Sequence, residues 1–213
     1  MDRTTAGGRP TSAYIPRFRN VHKQETDFLR GYASGFSAGR YNSPVANGFG
    51  TALKDSLSKK DPGPWRVGSH MMGETIPKET NQISLDTTKK DAWGVPLVNF
   101  SVAYDDNDDK MVKDFQDQLS EMYTKAGFTN IKTDDSKQAP GLDIHEMGGA
   151  RMGKDPKTSM LNKWNQLHAC ENVFVTDGAC MTSTSTQNPS LTYMALTARA
   201  CDYAVSQMKK NEL

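Results

Sequence analysis

The stretch Pro96-Leu-Val-Asn-Phe-Ser-Val-Ala-Tyr104, followed at once by a helical period over residues 108 to 126, decides the fold class. Val98, Phe100, Val102 and Tyr104 alternate with Asn99, Ser101 and Ala103, the period of two expected of a strand with one buried face. Met111, Val112, Phe115, Leu119, Met122 and Ala126 then recur at three and four, while Lys113, Asp114, Gln116 and Asp117 are expected to face outward. Gly127 stands where a helix-ending glycine belongs.

Upstream of that stretch, Trp65-Arg-Val-Gly-Ser-His-Met-Met-Gly-Glu74 and Asn81-Gln-Ile-Ser-Leu-Asp86 read as two more strands. The second joins the strand from Pro96 through residues 87–95, with Gly94 as the turn residue. The expected architecture is therefore α+β, an antiparallel sheet with helices over residues 65–140. Residues 1–64, with segments such as Ser34-Gly-Phe-Ser-Ala-Gly39 and Ala46-Asn-Gly-Phe-Gly50, read as a loop-rich part that covers a cofactor or substrate or awaits a partner segment.

Residues 141–213 form a third part. A polar stretch, Thr133 to Pro140, leads into the glycine-rich loop His145-Glu-Met-Gly-Gly-Ala-Arg-Met-Gly153. Asn172-Val-Phe-Val-Thr-Asp177 reads as a buried strand, and Pro189 to about Met208 as a helix with Leu191, Met194, Ala198, Cys201, Val205 and Met208 on one face. A strand, a loop and a helix in that order match the edge of a nucleotide-binding sheet.

Composition removes several function classes. The 26 basic and 25 acidic residues are mixed, net charge is +1, and no run of five like charges occurs, which argues against nucleic acid or an anionic membrane as partner. No stretch approaches the roughly 18 to 20 apolar residues of a membrane span, and residues 1–9 lack the apolar core of a signal peptide. The chain reads as soluble; its compartment, periplasmic or cytoplasmic, is not written in it. Three cysteines, Cys170, Cys180 and Cys201, make no disulfide framework. Together with four scattered histidines they give no metal-ligand spacing, so no metal site is expected.

The chemistry is concentrated in two loops. His145 is the one histidine in a glycine-rich setting, where Gly148, Gly149 and Gly153 permit close approach of a ligand or positive φ. Asn188-Pro-Ser-Leu-Thr192 opens the last helix, with Asn188 as N-cap and Pro189 at the first helical position. The backbone of Ser190, Leu191 and Thr192 offers unpaired donors to an anion or an electron-rich ring. Arg151 holds a carboxylate or phosphate or, slightly favoured, pins its loop by a buried salt bridge. Asp177, before Gly178, caps a turn or receives a cofactor hydroxyl. A Gly-x-Ser-x-Gly elbow is absent. So is a Gly-x-Gly-x-x-Gly phosphate cradle, since Gly48-Phe-Gly50 is followed by Leu53 in place of the third glycine.

Six landmarks in order carry a resemblance: Gly73-Glu74, Asn81 to Asp86, Asp91-Ala-Trp-Gly-Val-Pro96, His145 to Gly153, Val175-Thr-Asp-Gly-Ala179, and Asn188-Pro-Ser-Leu-Thr192. Over residues 65–210 the chain resembles the C-terminal portion of a glucose-methanol-choline (GMC) flavoprotein oxidoreductase. The wording is most similar to that of the gluconate 2-dehydrogenase flavoprotein subunit and glucoside 3-dehydrogenase group, with Gly149 where the usual loop has threonine. The resemblance implies FAD as cofactor and a sugar or alcohol as substrate, oxidised at a hydroxyl by hydride transfer to flavin N5. It implies His145 as catalytic base and Asn188 as its partner on the same oxygen. Asp177, Gly178 and Ala179 would contact the ribityl or pyrophosphate part of FAD, and Asn188, Pro189, Ser190 and Thr192 its ring. An ordinary imidazole, with a pKa of about 6.5, suits such a base at neutral pH.

The same resemblance implies a dinucleotide-binding half outside this chain, on a missing N-terminal segment or a second chain, with an electron-accepting subunit as a further partner. Residues 170–210 would complete a Rossmann-like FAD domain. The alternative, from another class, is a non-catalytic interaction or carbohydrate-binding remnant of the family, motivated by the absent phosphate-binding glycines.

Overall fold

The computed structural model describes residues 12–40, 49–58, 64–142 and 144–213; the readings of residues 1–9 and of most of 46–50 lie outside them. Strands β1 (Ser12–Phe18), β2 (Tyr32–Arg40) and β3 (Trp65–Gly73) form one antiparallel sheet in the order β1-β2-β3, with helix α1 (Thr51–Ser58) between the last two in sequence. Strands β4 (Gln82–Lys90) and β5 (Pro96–Ser101) make a separate hairpin, followed by helix α2 (Asp106–Lys125). A short pair, β6 (Gln166–Leu167) and β7 (Cys170–Phe174), precedes helix α3 (Ser190–Lys209). Helices with antiparallel pairing thus bear out the α+β class.

Two expectations about the sheet are corrected. Part of residues 1–64 is sheet, not loop: β1 and β2 supply two of three strands, and Ser34 to Gly39 lies inside the central one. Its sequence, Tyr-Ala-Ser-Gly-Phe-Ser-Ala-Gly-Arg, lacks alternation because Tyr32 through Gly35 are buried on both faces. Small residues let the neighbouring strand lie close. A β-carbon at Gly35 would sit 2.4 Å from the His70 ring, which β3 lays across it. The second correction follows: β3 pairs with β2 and leaves β4–β5 as an independent ribbon. That ribbon turns at Gly94 (φ +84°), with the Asp91 carboxylate accepting from the backbone N–H groups of Trp93 and Val95, both at 2.9 Å. Its cross-strand partners Ile83 with Phe100 and Leu85 with Val98 share one apolar face, which is exposed.

The main core forms where α2 docks on the first sheet. Phe28, Tyr32 and Met111 are each 2% exposed, with Phe18, Met71 and Phe115 packed around them. Two glycines admit that packing: a β-carbon at Gly31 would meet the Phe18 carbonyl at 2.5 Å, and one at Gly73 the Met111 sulfur at 2.6 Å. Asp114, expected outward, faces the sheet, because its carboxylate accepts from the Arg19 guanidinium at 2.9 and 3.0 Å and from the Tyr32 hydroxyl at 2.7 Å. Burial, then the Asp114 carboxylate, push the Tyr32 hydroxyl well above its ordinary pKa, so it remains a donor. The loop between β1 and β2 wraps around buried Asn20, whose Nδ2 donates to the Phe28 carbonyl and the Thr26 hydroxyl, both at 2.9 Å, while Oδ1 accepts from the Glu25 N–H at 2.7 Å.

The C-terminal third departs most from expectation. The strand expected over 172–177 is β7, two residues earlier and largely exposed. Helix α3 buries only Ala200 among the described residues, whereas Leu191, Met194, Val205 and Met208 are 81%, 68%, 48% and 63% exposed. Both contrast with the buried strand and apolar seam that the sequence suggested. What holds this third is fully buried Asn165, whose Nδ2 donates to the Val175 carbonyl and whose Oδ1 accepts from Arg199 at 3.3 Å, with the Trp164 ring stacked on Tyr203 at 4.7 Å.

Candidate active site

The loop of residues 145–153 is built on two supports. The Ala150 and Met152 N–H groups donate to the carbonyls of Ala179 and Cys180, each at 3.0 Å, and the Gly153 N–H donates to that of buried Leu161 at 2.8 Å. Gly148 takes a left-handed φ of +88°. Gly149 does not, and a β-carbon there would meet that of Ala179 at an ordinary 3.7 Å. A β-carbon is therefore tolerated at the position where the resembling loop usually has threonine. Gly153 is required by packing, since a β-carbon would lie 2.6 Å from that of Ser159.

His145 itself has φ of +76°, a conformation that costs a residue bearing a β-carbon on the order of 1 kcal/mol. It turns the ring toward Asn188, so that Nε2 lies 2.9 Å from the amide oxygen of a residue 43 positions away. The contact is satisfied in either of two ways: ring N–H to amide oxygen, or, with the amide turned over, amide N–H to a ring lone pair. The first leaves the Nδ1 lone pair free to take a proton and the Asn188 NH2 free to donate, whereas the second engages the ring lone pair at Nε2 with the amide.

Asn188 is not the N-cap that its position suggested. Helix α3 begins on Pro189 without a side-chain cap, because the Asn188 amide is engaged by His145. The first-turn N–H groups of Ser190, Leu191 and Thr192 have no partner among the described residues.

The loop before the helix is clamped from the other side. The Tyr14 hydroxyl donates to the Thr186 carbonyl at 3.2 Å, and the Thr186 hydroxyl and Gln187 amide both donate to the Pro16 carbonyl, at 3.2 and 2.8 Å. The Ser183 hydroxyl donates to the Glu74 carboxylate. These contacts leave a cavity of about 350 Å³ with Ser183, Thr184, Gln187, Asn188, Pro189 and Thr192 on one wall. Arg17, Arg30 and Glu74 stand on another, and His145 reaches it through Asn188.

The remaining sequence candidates divide. Asp177 caps the 3-10 turn Gly178–Cys180, accepting from the Ala179 N–H at 2.9 Å, and it is exposed. Gly178 is fixed by close packing, 2.7 Å from the Glu146 carbonyl for an added β-carbon, which accounts for a glycine there without any ligand. Arg151 makes no buried salt bridge among the described residues: it is exposed and donates to the Thr158 carbonyl at 2.7 Å, tying off its own loop. Arg17, Arg30 and Glu74 were not singled out as site residues from sequence, because each acquires its place through strand pairing. The one signal was the hydroxyl-rich run Ser183-Thr-Ser-Thr186 ahead of Asn188.

The GMC oxidoreductase family model matches residues 77–197. The chain belongs to the GMC oxidoreductase family. It is 33% identical over 196 residues to a 2-methyl-1,2-propanediol dehydrogenase of Mycolicibacterium austroafricanum, covering 84% of this chain and 34% of that one. It is 31% identical over 139 residues to a fructose dehydrogenase large subunit of Gluconobacter japonicus, covering 64% and 25%. It is 30% identical over 139 residues to a gluconate 2-dehydrogenase flavoprotein of Pantoea cypripedii, covering 62% and 22%. The chain spans about a third or less of the length of these relatives. The chain is thus related to flavin-dependent oxidoreductases acting on sugars and alcohols. Among the described residues of this GMC chain no helix is long and apolar enough to cross a membrane, and no cluster suits a metal ion.

Proposed function

We propose that this chain supplies the base and one wall of the substrate site in a flavin-dependent enzyme that oxidises a sugar or alcohol hydroxyl to a carbonyl. The observation that carries the reading is the 2.9 Å contact between His145 and Asn188, beside an uncapped helix N-terminus and a polar cavity. His145 accepts the hydroxyl proton as the carbinol C–H bond breaks with its electron pair and the C–O double bond forms. Asn188, with one amide atom on His145 and the other without a partner among the described residues, holds the substrate oxygen without adding charge. A bound FAD supplies the hydride acceptor.

The residues present fit the ring end of such a cofactor. Free donors at Ser190, Leu191 and Thr192 favour negative charge developing in front of the helix, and Pro189 and Thr192 line the same cavity as Asn188. Asp177, Gly178 and Ala179 are assigned to the ribityl side, with the Asp177 oxygen not engaged by Ala179 as the available group. The pyrophosphate is left to a dinucleotide-binding segment or second chain, in keeping with the absent Gly-x-Gly-x-x-Gly. On this reading residues 65–140 serve the substrate side, and β7 with α3 complete a Rossmann-like FAD domain that covers the apolar residues of α3. An electron-accepting subunit is a further partner of the same reading.

The test is flavin reduction by a panel of sugars and simple alcohols, followed by rapid mixing with the flavin-bearing part present. His145→Ala is expected to slow reduction about 10²- to 10⁴-fold. Full retention of the rate in that variant contradicts the assignment.

A further inference from the structure

Glu74, directly after β3, is a carboxylate with its side chain only 10% exposed, a condition that calls for compensation. Its ionic partner is weak: the Arg30 Nε lies 3.7 Å away and that side chain is 55% exposed. Its hydrogen bond goes elsewhere, to the Ser183 hydroxyl, across 109 residues of sequence. The same Ser183 oxygen accepts from the Ser185 N–H at 2.8 Å, which holds Ser185 in a left-handed turn at φ +55°. The Thr184 hydroxyl then donates to the Gln187 carbonyl, so bonds run from Glu74 to the residue before Asn188.

Strand β1 grips the far side of this loop through Pro16 and Tyr14, and Glu74 grips the near side. Both grips come from the first sheet, while the His145 loop rests on the 178–180 turn. The distance between imidazole and amide is therefore set jointly by the first sheet and by the 178–180 turn. Resting on the functional reading above, we infer that Glu74 is a positioning residue that sets the Asn188 amide against His145 through Ser183. Its hydrogen-bond acceptor does this, and its charge toward Arg30 is secondary.

Substitution separates the two roles. In the 213-residue chain, Glu74→Ala and Ser183→Ala are expected to speed amide hydrogen exchange across residues 183–188 by about tenfold. Exchange in β2 and α2 stays as in the parent chain. Glu74→Gln keeps an oxygen acceptor and restores slow exchange, and Arg30→Met leaves it slow. With the flavin-bearing part present, Glu74→Ala lowers turnover at saturating substrate and has no further effect in an Asn188→Ala background. Unchanged exchange at 183–188 in both alanine variants, or Arg30→Met reproducing Glu74→Ala, overturns the proposal. So does a full Glu74→Ala effect on turnover persisting without Asn188. Wild-type turnover in Asn188→Ala itself overturns the functional reading instead, and the exchange results then decide Glu74 alone.

Discussion

Helices α2 and α3 are both 20 residues long and both carry apolar residues at helical spacing, yet they are held in different ways. Helix α2 starts with a complete capping box between Asp105 and Asp108, buries Met111 and Leu119, and turns Asp114 into the sheet. Helix α3 starts uncapped, buries one alanine among the described residues, and gives the amide ahead of it to His145. The first helix is placed by its own packing. The second is placed by the loops at its N-terminus and by Asn165, and its start is available for chemistry.

The contrast is broken most directly at Asp114. Asp114→Ala leaves the Tyr32 hydroxyl and Arg19 guanidinium without their acceptor and is expected to cost about 1.5 to 3 kcal/mol in urea denaturation, the range for hydrogen bonds to a charged group. A cost near zero would show that α2 is not anchored as described. Gly31→Ala forces a methyl against the Phe18 and Arg19 carbonyls and is expected to destabilise by about 1 to 2 kcal/mol, within the range for overpacking. Gly149→Thr, where an added β-carbon meets only Ala179 at an ordinary 3.7 Å, is expected to shift the melting temperature little.

Loss of the α2 cap is the next smaller effect. Hydrogen bonding to Lys78, then to the Asp108 and Asn107 N–H groups, holds the Asp105 carboxyl below its ordinary pKa. Because the folded value is the lower one, the contribution is fully present above the unfolded pKa of about 4 and is lost as pH falls through the folded value. Asp105→Ala should therefore lower the urea midpoint at neutral pH and erase part of the acid dependence. Smallest of all, Asn188→Ala and Met194→Ser are each expected to stay within about 0.5 kcal/mol of the parent chain, as surface changes do. A larger loss for Asn188→Ala would mean that it caps α3 after all.

The same contrast explains what could be read in advance. Helix α2 was legible within two residues at its start because its period and Gly127 (φ +81°) are local signals, and Gly94 marked its hairpin for the same reason. Strand β2 was not, because burial on both faces and a string of small residues erase the period of two. Asp114 looked like a solvent residue because nothing local announces Arg19 and Tyr32, each more than 80 positions away. His145 and Asn188 stood out through glycines and a helix start, and the structure brings them together. Glu74 and Ser183 took their meaning from β3 pairing with β2, a contact no local pattern encodes.

The central claim is that His145 and Asn188 act on one oxygen as a pair. The direct measurement is a double-mutant cycle of His145→Ala and Asn188→Ala, read as the rate of flavin reduction at saturating sugar or alcohol with the flavin-bearing part present. Coupled action predicts that the second substitution costs far less once the first is in place, with an interaction of at least about 1.4 kcal/mol, or tenfold. Effects that simply add would contradict the account.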